Sequence, residues 1–283
     1  MTTALGFDPK FLADVDVPLP DRPRSPDRPR LPDHPDLVTL AYTHFSVSID
    51  PARRLAAVTG VNIDGGSLKD VARSDNWRLD DRLPASQQAG NELYSNNDLD
   101  RGHLVRRRDP VWGELSVARR ANSDTFHYTV CAPQTATLNQ SKTLWLGLED
   151  YVLGYAEQYG RRLSVFSGCI FAQDDPGYRG FAIPRRFFKI AVWSQDAAPA
   201  CTGYVLDQSP SLDPILDKPL RVETDPPTLG PYRTYQVPVA DISSATGLDL
   251  EVLIEADRYA PVAAARAEAS RWTELTRLSD IHL

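Results

Sequence analysis

The chain has 283 residues, and its 31 lysines and arginines against 38 aspartates and glutamates give a formal net charge of -7. With 42% hydrophobic residues it can build a large core, which excludes disorder throughout the chain. No stretch approaches the roughly 18 consecutive apolar residues of a membrane helix. We therefore expect a chain that does not cross a bilayer.

The N-terminus has neither a basic region nor a following apolar run, so we expect no secretory signal and a cytoplasmic location. From Pro20 to Leu37 the sequence repeats with period six, beginning Pro-Asp-Arg-Pro-Arg-Ser. Each proline fixes φ and removes a donor, which favours polyproline II. We predict an extended arm over residues 1–39 and one domain over residues 40–283. The arm is interpreted as a stiff linker or as a segment that docks on another chain or on the domain itself.

Alternating and apolar runs predict a sheet in the domain. Phe45, Val47 and Ile49 alternate with serines, which indicates a half-buried strand. Residues 55–63 predict a second strand, ended by Asp64-Gly65-Gly66, and residues 67–99 are rich in loop formers. Further strands are predicted over residues 125–131, stopped by Pro133, and over residues 163–172, 187–193 and 203–206.

Two helices are predicted. The first has an apolar stripe that ends at Gly160 and is formed by Leu144, Leu148, Val152, Tyr155 and Tyr159. The second covers about Val262 to Leu278, at the C-terminus of the domain. Helices packed on a mixed, mainly antiparallel sheet make an α+β fold.

The three cysteines are Cys131, Cys169 and Cys201. Their odd number and wide spacing suit neither a disulfide framework nor a zinc knuckle, so we predict buried free thiols. No His-Glu-x-x-His or Gly-x-Ser-x-Gly motif occurs, which disfavours a zinc hydrolase and a serine hydrolase.

The segment Asp100-Arg101-Gly102-His103 carries the strongest chemical signal. Histidine can take a proton near neutral pH, glycine permits close approach of a substrate backbone, and arginine pairs with phosphate oxygens. Residues 100–120 hold six arginines against three acidic residues, so the local charge is positive despite the acidic total. By itself the segment is compatible with a phosphate site or with a turn that has a solvated basic rim.

Two later motifs strengthen the first interpretation. Ala132-Pro133-Gln134 is followed by Leu138-Asn139-Gln140 and then by Trp145-x-x-Leu148-Glu149. Together with the Asp-Arg-Gly-His segment, this order resembles the DNA/RNA non-specific endonucleases over roughly residues 42–250. The resemblance implies the ββα-metal (His-Me finger) nuclease fold, with a mainly antiparallel sheet flanked by helices.

The resemblance also implies site residues. His103 corresponds to the general base and Asn139 to the single direct protein ligand of Mg²⁺, with Mn²⁺ as a substitute. Glu149 corresponds to the acid that holds metal-bound water. Arg101 and Arg73, the latter assigned by its distance from Trp77, would neutralise charge on the phosphate.

The implied activity is sequence-non-specific endonucleolytic hydrolysis of DNA, RNA or both to 5′-phosphate and 3′-hydroxyl ends. Arg106, Arg107 and Arg108 are expected to contact the nucleic acid, and family likeness implies a homodimer. One alternative is a catalytically silent nucleic-acid-binding module. Another is an effector nuclease that an inhibitor or an activating partner controls, with the N-terminal arm as the contact.

Overall fold

The computed structural model describes residues 6–22, 36–135, 153–154, 156–216, 233–259, 271–277 and 280–281. In chain order the strands are β1 (Val38–Tyr42), β2 (Phe45–Asp50), β3 (Leu55–Asp64), β4 (Leu99–His103), β5 (Cys131–Thr135), β6 (Arg162–Ile170), β7 (Gly177–Tyr178), β8 (Phe181–Ala182), β9 (Arg186–Gln195), β10 (Ala198–Asp207), β11 (Arg233–Val237) and β12 (Thr273–Leu275). The helices are α1 (Asn91–Tyr94), α2 (Leu115–Asp124), α3 (Ser209–Leu216), α4 (Val239–Thr246) and α5 (Glu251–Glu255). Among these described helices, none has the length and apolar character needed to cross a membrane.

One large sheet forms the centre of the described structure. Eight strands neighbour one another in the order β1-β2-β3-β6-β9-β10-β11-β12, and every neighbouring pair is antiparallel. Strands β4 and β5 form a separate antiparallel pair, as do β7 and β8. This confirms the predicted α+β fold with a mainly antiparallel sheet.

Both faces of the sheet are covered, and each has its own apolar cluster. One cluster joins Phe166 and Phe188 of the sheet to α4, α5 and the N-terminal residues 11–17. The other joins Phe45 and Phe187 to α1, to the β4–β5 pair and to the buried side chains Leu153 and Ala156. Because side chains alternate between the faces along a strand, a sheet covered on both sides buries every position of its central strands.

This double cover corrects one prediction. Strand β2 begins at Phe45 as the alternation indicates, but it is buried along its whole length rather than half-buried. Ser46 and Ser48 remain in the interior because their hydroxyl groups are paired. Ser46 Oγ accepts from the backbone N–H of Phe7 at 2.9 Å, and Ser48 Oγ lies 2.9 Å from Thr39 Oγ1.

The first part of the predicted arm lies on the sheet. Val17 is fully buried, and the backbone N–H of Asp8 donates to Asn62 Oδ1 at 2.7 Å. At the end of this segment Arg22 forms an ion pair of 2.9 Å with the buried Asp50. Most of the six-residue repeat, residues 23–35, lies outside the described chain. The domain then starts with β1 at Val38.

The strand predicted over residues 125–131 is wrong in position. Residues Tyr128–Val130 form a 3-10 turn, and the strand is β5, which runs through Pro133. A proline is tolerated there because β5 pairs with β4 alone among the described strands, so its missing N–H breaks no second ladder in that part of the chain. The carbonyl of Pro133 still accepts a hydrogen bond from the side chain of Gln208.

The C-terminal helix predicted from Val262 to Leu278 is wrong where the structure can be compared with it. Residues 260–270 lie outside the described chain, but Thr273–Leu275 form β12 at the edge of the sheet. The backbone of β12 completes the hydrogen bonding of β11, and Leu275 is buried there. Partnering with a sheet edge outweighs the weak helical preference of this short segment.

The helix predicted to end at Gly160 lies only partly within the described residues, since four residues of its stripe fall outside them: Leu144, Leu148, Val152 and Tyr155. Residues 153–154 and 156–159 are helical, and Gly160 has φ +57°, the left-handed conformation that ends helices. Leu153 and Ala156 face the core, whereas Tyr159 is 58% exposed and does not belong to the apolar stripe. The helix lies close to Gly65, where a Cβ would be 2.0 Å from the carbonyl oxygen of Ala156.

All three cysteines are free and buried, as predicted. Burial raises the pKa of each thiol, to about 12 for Cys131. Thiols of this kind are apolar core side chains rather than nucleophiles.

Candidate active site

The β4–β5 pair brings two of the sequence motifs together. Strand β4 carries Asp100-Arg101-Gly102-His103, and it pairs with Ala132-Pro133-Gln134 of β5. Gly102 lies opposite Ala132, and Arg101 lies opposite Pro133. Since the side chains of Arg101 and His103 are two residues apart, they project from the same face of this pair.

Gly102 serves a different purpose from the one expected. A Cβ at this position would lie 2.0 Å from Oε1 and 2.5 Å from Cγ of Gln134, whose side chain is 2% exposed. The missing side chain therefore makes room for a buried glutamine of the neighbouring strand. It does not open a path for a substrate backbone.

His103 sits among aromatic rings. Its ring centroid is 5.0 Å from that of Trp77 and 5.6 Å from that of Phe126, which meets it edge-on. The ring makes a hydrogen bond with the backbone of Thr125. Nε2 is shielded from solvent and has no hydrogen-bond partner in the described part of the chain. The free nitrogen is therefore oriented and available as an acceptor.

This environment lowers the pKa of His103 to about 3. Burial is the main cause, and the positive charges of Arg73 and Arg107 act in the same direction. The Thr125 hydrogen bond and the charge of Asp75 raise the pKa but are outweighed. The imidazole is therefore neutral at pH 7, which is the protonation state that a general base requires.

Arg101 is surrounded by aromatic rings and donates a hydrogen bond to a neighbouring side chain. Its guanidinium carbon lies 5.6 to 5.7 Å from the ring centroids of Trp77, Tyr94 and Tyr128. One terminal nitrogen, NH2, donates to Oδ1 of Asn91 at 2.8 Å. Its Nε is buried and has no hydrogen-bond partner among the residues that the structure describes.

Arg73 and the three arginines after β4 differ in their surroundings. Arg73 is exposed, forms a 2.6 Å ion pair with Asp75 and lies over the ring of Phe126. Arg107 donates from NH1 to the carbonyl of Val71 and to Asn122 Oδ1, so one of its nitrogens is committed to the protein. Burial, and then the charges of Arg73 and Arg108, lower the pKa of Arg107. Arg106 is partly buried and Arg108 is exposed.

Two predicted site residues, Asn139 and Glu149, lie outside the described residues. They belong to the stretch between Thr135, which ends β5, and the helical residues that begin at 153. In the described ranges, no three histidine, cysteine, aspartate or glutamate side chains gather as a metal site would require. The structure thus brings His103, Arg101 and Arg73 into one region and leaves the two metal-related assignments as predictions.

Several residues of this region were not found from the sequence. Asn91, Tyr94, Phe126 and Tyr128 surround Arg101 or His103 but belong to no motif that we singled out. The four-residue helix α1 is too short to show a periodic pattern. A usable signal was the density of aromatic residues on both sides of the Asp-Arg-Gly-His segment, since aromatic rings often enclose arginine.

A β-strand pair that carries a partly buried histidine beside arginines, set against a large antiparallel sheet, is the arrangement of the ββα-metal nuclease fold. The crystal structure of the EndoG/EndoGI complex, which concerns the mechanism of EndoG inhibition, matches with a TM-score of 0.54 and 19% identity over 74% of this chain and 84% of the other. The chain belongs to the DNA/RNA non-specific endonuclease family, whose model matches residues 29–256.

Relatives of known sequence include one uncharacterised protein and two nucleases. The chain is 42% identical over 240 residues to the uncharacterised protein y4fB of Sinorhizobium fredii, a match that covers 81% of this chain but 36% of that protein. It is 24% identical to a nuclease of Nostoc, over 76% of this chain and 73% of the relative. It is 26% identical to human mitochondrial endonuclease G, over 62% of this chain and 56% of that protein. The chain therefore spans about a third of y4fB and about half of endonuclease G.

Proposed function

We propose that this chain is a metal-dependent endonuclease that hydrolyses phosphodiester bonds of DNA, RNA or both with little sequence preference, leaving 5′-phosphate and 3′-hydroxyl ends. Membership of the family supports the reaction class. The single observation that carries the assignment of His103 is its Nε2 atom, which is shielded from solvent and has no hydrogen-bond partner among the described residues, on a neutral ring beside arginines.

The charge around His103 suits a phosphodiester. Arg73 and Arg107 lower the pKa of the ring, and an anionic phosphate near them would cancel part of that effect. Substrate binding would therefore raise the pKa of His103 and make it a stronger base where a strong base is needed. The same guanidinium groups could pair with phosphate oxygens.

A divalent cation beside His103 would need oxygen ligands from another part of the chain. The described groups that act on its ring are arginines, aromatic rings and the single carboxylate Asp75, and no cluster of carboxylates lies among the described residues. We propose Asn139 as the direct protein ligand and Glu149 as the acid that holds metal-bound water, which suits Mg²⁺ or Mn²⁺. When bound, the cation would stabilise negative charge on the phosphoryl group and on the leaving oxygen.

The chain's own residues then have separate tasks. His103 would accept the proton of the attacking water at Nε2 while the Thr125 backbone holds the ring in place. Arg101 and Arg73 would neutralise charge that develops on the phosphoryl oxygens. Arg106, Arg107 and Arg108 would contact the backbone of the nucleic acid, and contacts of this kind carry no sequence information.

Cleavage of supercoiled plasmid and of a long single-stranded RNA, each with Mg²⁺, with Mn²⁺ and with EDTA, tests the proposal. We expect cleavage with either metal, none with EDTA, and ligatable 3′-hydroxyl ends. His103→Ala should lower the rate about 10² to 10⁴-fold, the usual contribution of a general base, while binding measured by fluorescence anisotropy stays within a few-fold.

His127→Gln is the matched control, because this partly buried histidine bonds to the carbonyl of Asp124 outside the proposed site. It should retain activity. Binding without cleavage in the unaltered protein would instead identify a silent nucleic-acid-binding module.

We also propose regulation by a partner. The structural relative is a complex that concerns inhibition of EndoG. From the family likeness we also propose a homodimer. An inhibitor or an activating partner could use the N-terminal arm as its contact. Sedimentation of the full chain would show whether it is a dimer.

A further inference from the structure

We propose that Asn91, the first residue of α1, is a positioning residue that sets the direction of the Arg101 guanidinium. The proposal rests on the proposed function, in which Arg101 neutralises charge on the phosphate. It adds a residue that belongs to none of the motifs and that reaches the chemistry only through Arg101.

The contacts of Arg101 show why one more group is needed. Three aromatic rings surround its guanidinium at centroid distances of 5.6 to 5.7 Å. Rings attract a cation but leave it free to rotate in its plane, because the attraction is spread over the ring face. The hydrogen bond from NH2 to Asn91 Oδ1 is directional, so this bond fixes the orientation of the guanidinium group.

The carboxamide of Asn91 is itself held in one orientation. Its Oδ1 accepts from Arg101 at 2.8 Å and from the hydroxyl of Tyr128 at 3.3 Å. Two donors on the same atom identify that atom as the oxygen, and they resist rotation of the amide. Asn91 therefore links the arginine of β4 to the turn that precedes β5.

Hydrogen bonds hold the C-terminal end of helix α1, which restricts movement of Asn91 at its N-terminal end. Arg179, at the tip of the β7–β8 pair, donates to the carbonyls of Glu92, Ser95 and Asn96. Asn97 donates to the carbonyl of Leu93 at 2.6 Å and accepts from the N–H of Leu99 at 2.9 Å. These bonds join α1 to the first residue of β4, the strand that carries Arg101.

Loss of the Asn91 oxygen should therefore affect the transition state more than substrate binding. Arg101 would keep its charge and its aromatic surroundings, so attraction to the phosphate would persist. Its donors would no longer be aimed at one place, and misplacement of such groups by about 1 Å can cost on the order of a hundredfold in rate.

Steady-state cleavage of a fluorescent oligonucleotide tests this in the full-length protein. We expect Asn91→Ala to lower kcat about 10 to 100-fold with KM within about twofold. Asn91→Asp keeps an oxygen acceptor at the same distance and should restore most of the rate. Asn96→Gly is the matched control, since it removes an amide from the end of the same segment at a φ of +52° that glycine tolerates, and kcat should not change.

A double-mutant cycle separates the proposal from general damage and from failure of the proposed function. In an Arg101→Ala background, Asn91→Ala should cause no further fall in kcat. An equal fall in both backgrounds, an unchanged kcat in the single variant, or equal losses for Asn91→Ala and Asn91→Asp would overturn the positioning role. Failure of the nuclease function itself would appear as an inactive unaltered protein or as an active His103→Ala variant.

Discussion

Gly102 lies between the two residues of β4 that are proposed to act on substrate. The space of its missing side chain is filled by Gln134, which is almost fully buried. The spacing between β4 and β5 at this point therefore depends on the absence of one methyl group.

Gly102→Ala should destabilise the fold. The new Cβ would overlap Oε1, Cδ and Cγ of Gln134, at 2.0, 2.1 and 2.5 Å, so the glutamine or the strand must move. We expect a loss of about 1 to 3 kcal/mol in the free energy of unfolding, measured with urea, as for other overpacked sites. Gly177→Ala is the control, because its Cβ would meet no atom within 4 Å. Equal stability of the two variants would contradict the close packing.

At the scale of residues, the motifs single out His103 and Arg101 as candidates, but the properties of these side chains depend on other parts of the chain. The pKa of His103 depends on burial and on Arg73 and Arg107, which lie about thirty residues upstream and a few residues downstream in the chain. The orientation of its ring depends on Thr125, after α2. A motif records which residues are present, whereas burial depends on how distant segments pack.

Gln208, just before α3, fixes the end of β5. Its side-chain oxygen accepts from the N–H of Thr135 at 3.0 Å, and its nitrogen donates to the carbonyls of Pro133 and Pro184. The residue is fully buried. One amide thus satisfies three backbone groups and joins the two-stranded β4–β5 sheet to the end of β10.

Gln208→Ala should cost about 2 to 4 kcal/mol of unfolding free energy, because each buried backbone group left unpaired costs about 1 to 3 kcal/mol and water can reach some of them. Gln208→Glu keeps the acceptor but cannot donate to both carbonyls, and it should also destabilise. The control is Gln195→Ala, at the exposed end of β9. Thermal unfolding of these three variants and of the unaltered protein would show whether loss of the buried Gln208 amide lowers stability more than loss of the exposed Gln195 amide.

At the scale of elements, the sequence predicted the central strands of the sheet well but predicted β4 and β5, the strands of the candidate active site, poorly. Runs such as residues 187–193 are apolar along their length, which is typical of strands covered on both faces. Strand β4 reads Leu-Asp-Arg-Gly-His and β5 contains a proline, so neither has the composition of a strand. The two segments form strands because each supplies a hydrogen-bonding partner for the other and both pack on the core.

The N-terminal segment 6–22 completes the molecule by covering one face of the sheet. Leu12 and Val17 belong to the same apolar cluster as Phe166 and Phe188. The segment is fastened along its length, from the Gly6 N–H bonded to the Tyr42 carbonyl to the Asp21 carbonyl that accepts from the Asp249 N–H. It is part of the core as well as part of the predicted arm.

Replacing Leu12 and Val17 together by alanine should lower the free energy of unfolding by about 4 kcal/mol, as expected when two buried aliphatic side chains are truncated. The matched control replaces the exposed Asp14 and Asp16 of the same segment by alanine. Urea unfolding of both double variants is the measurement. Similar midpoints would show that the segment contributes little to the core.

At the scale of the whole molecule, the predicted fold class is confirmed, but the order of the strands could not be derived from local patterns. The pairing of β3 with β6, and of β6 with β9, joins segments separated by long insertions. Hydrophobic periodicity indicates which face of a strand is buried and says nothing about which strand lies beside it. The position of residues 6–22 on the sheet agrees with one interpretation left open for the arm, a segment that docks on the domain itself, but the proline pattern could not distinguish it from a stiff linker.

The two faces of the sheet give the molecule a front and a back. His103 and Arg101 are at the front with the β4–β5 pair, whereas residues 6–22 lie at the back with α4 and α5. A partner bound at the back would not compete for space with a nucleic acid at the proposed site on the front. Any effect of that partner on turnover would have to be transmitted through the strands of the sheet. Inhibition of this kind would be non-competitive with substrate.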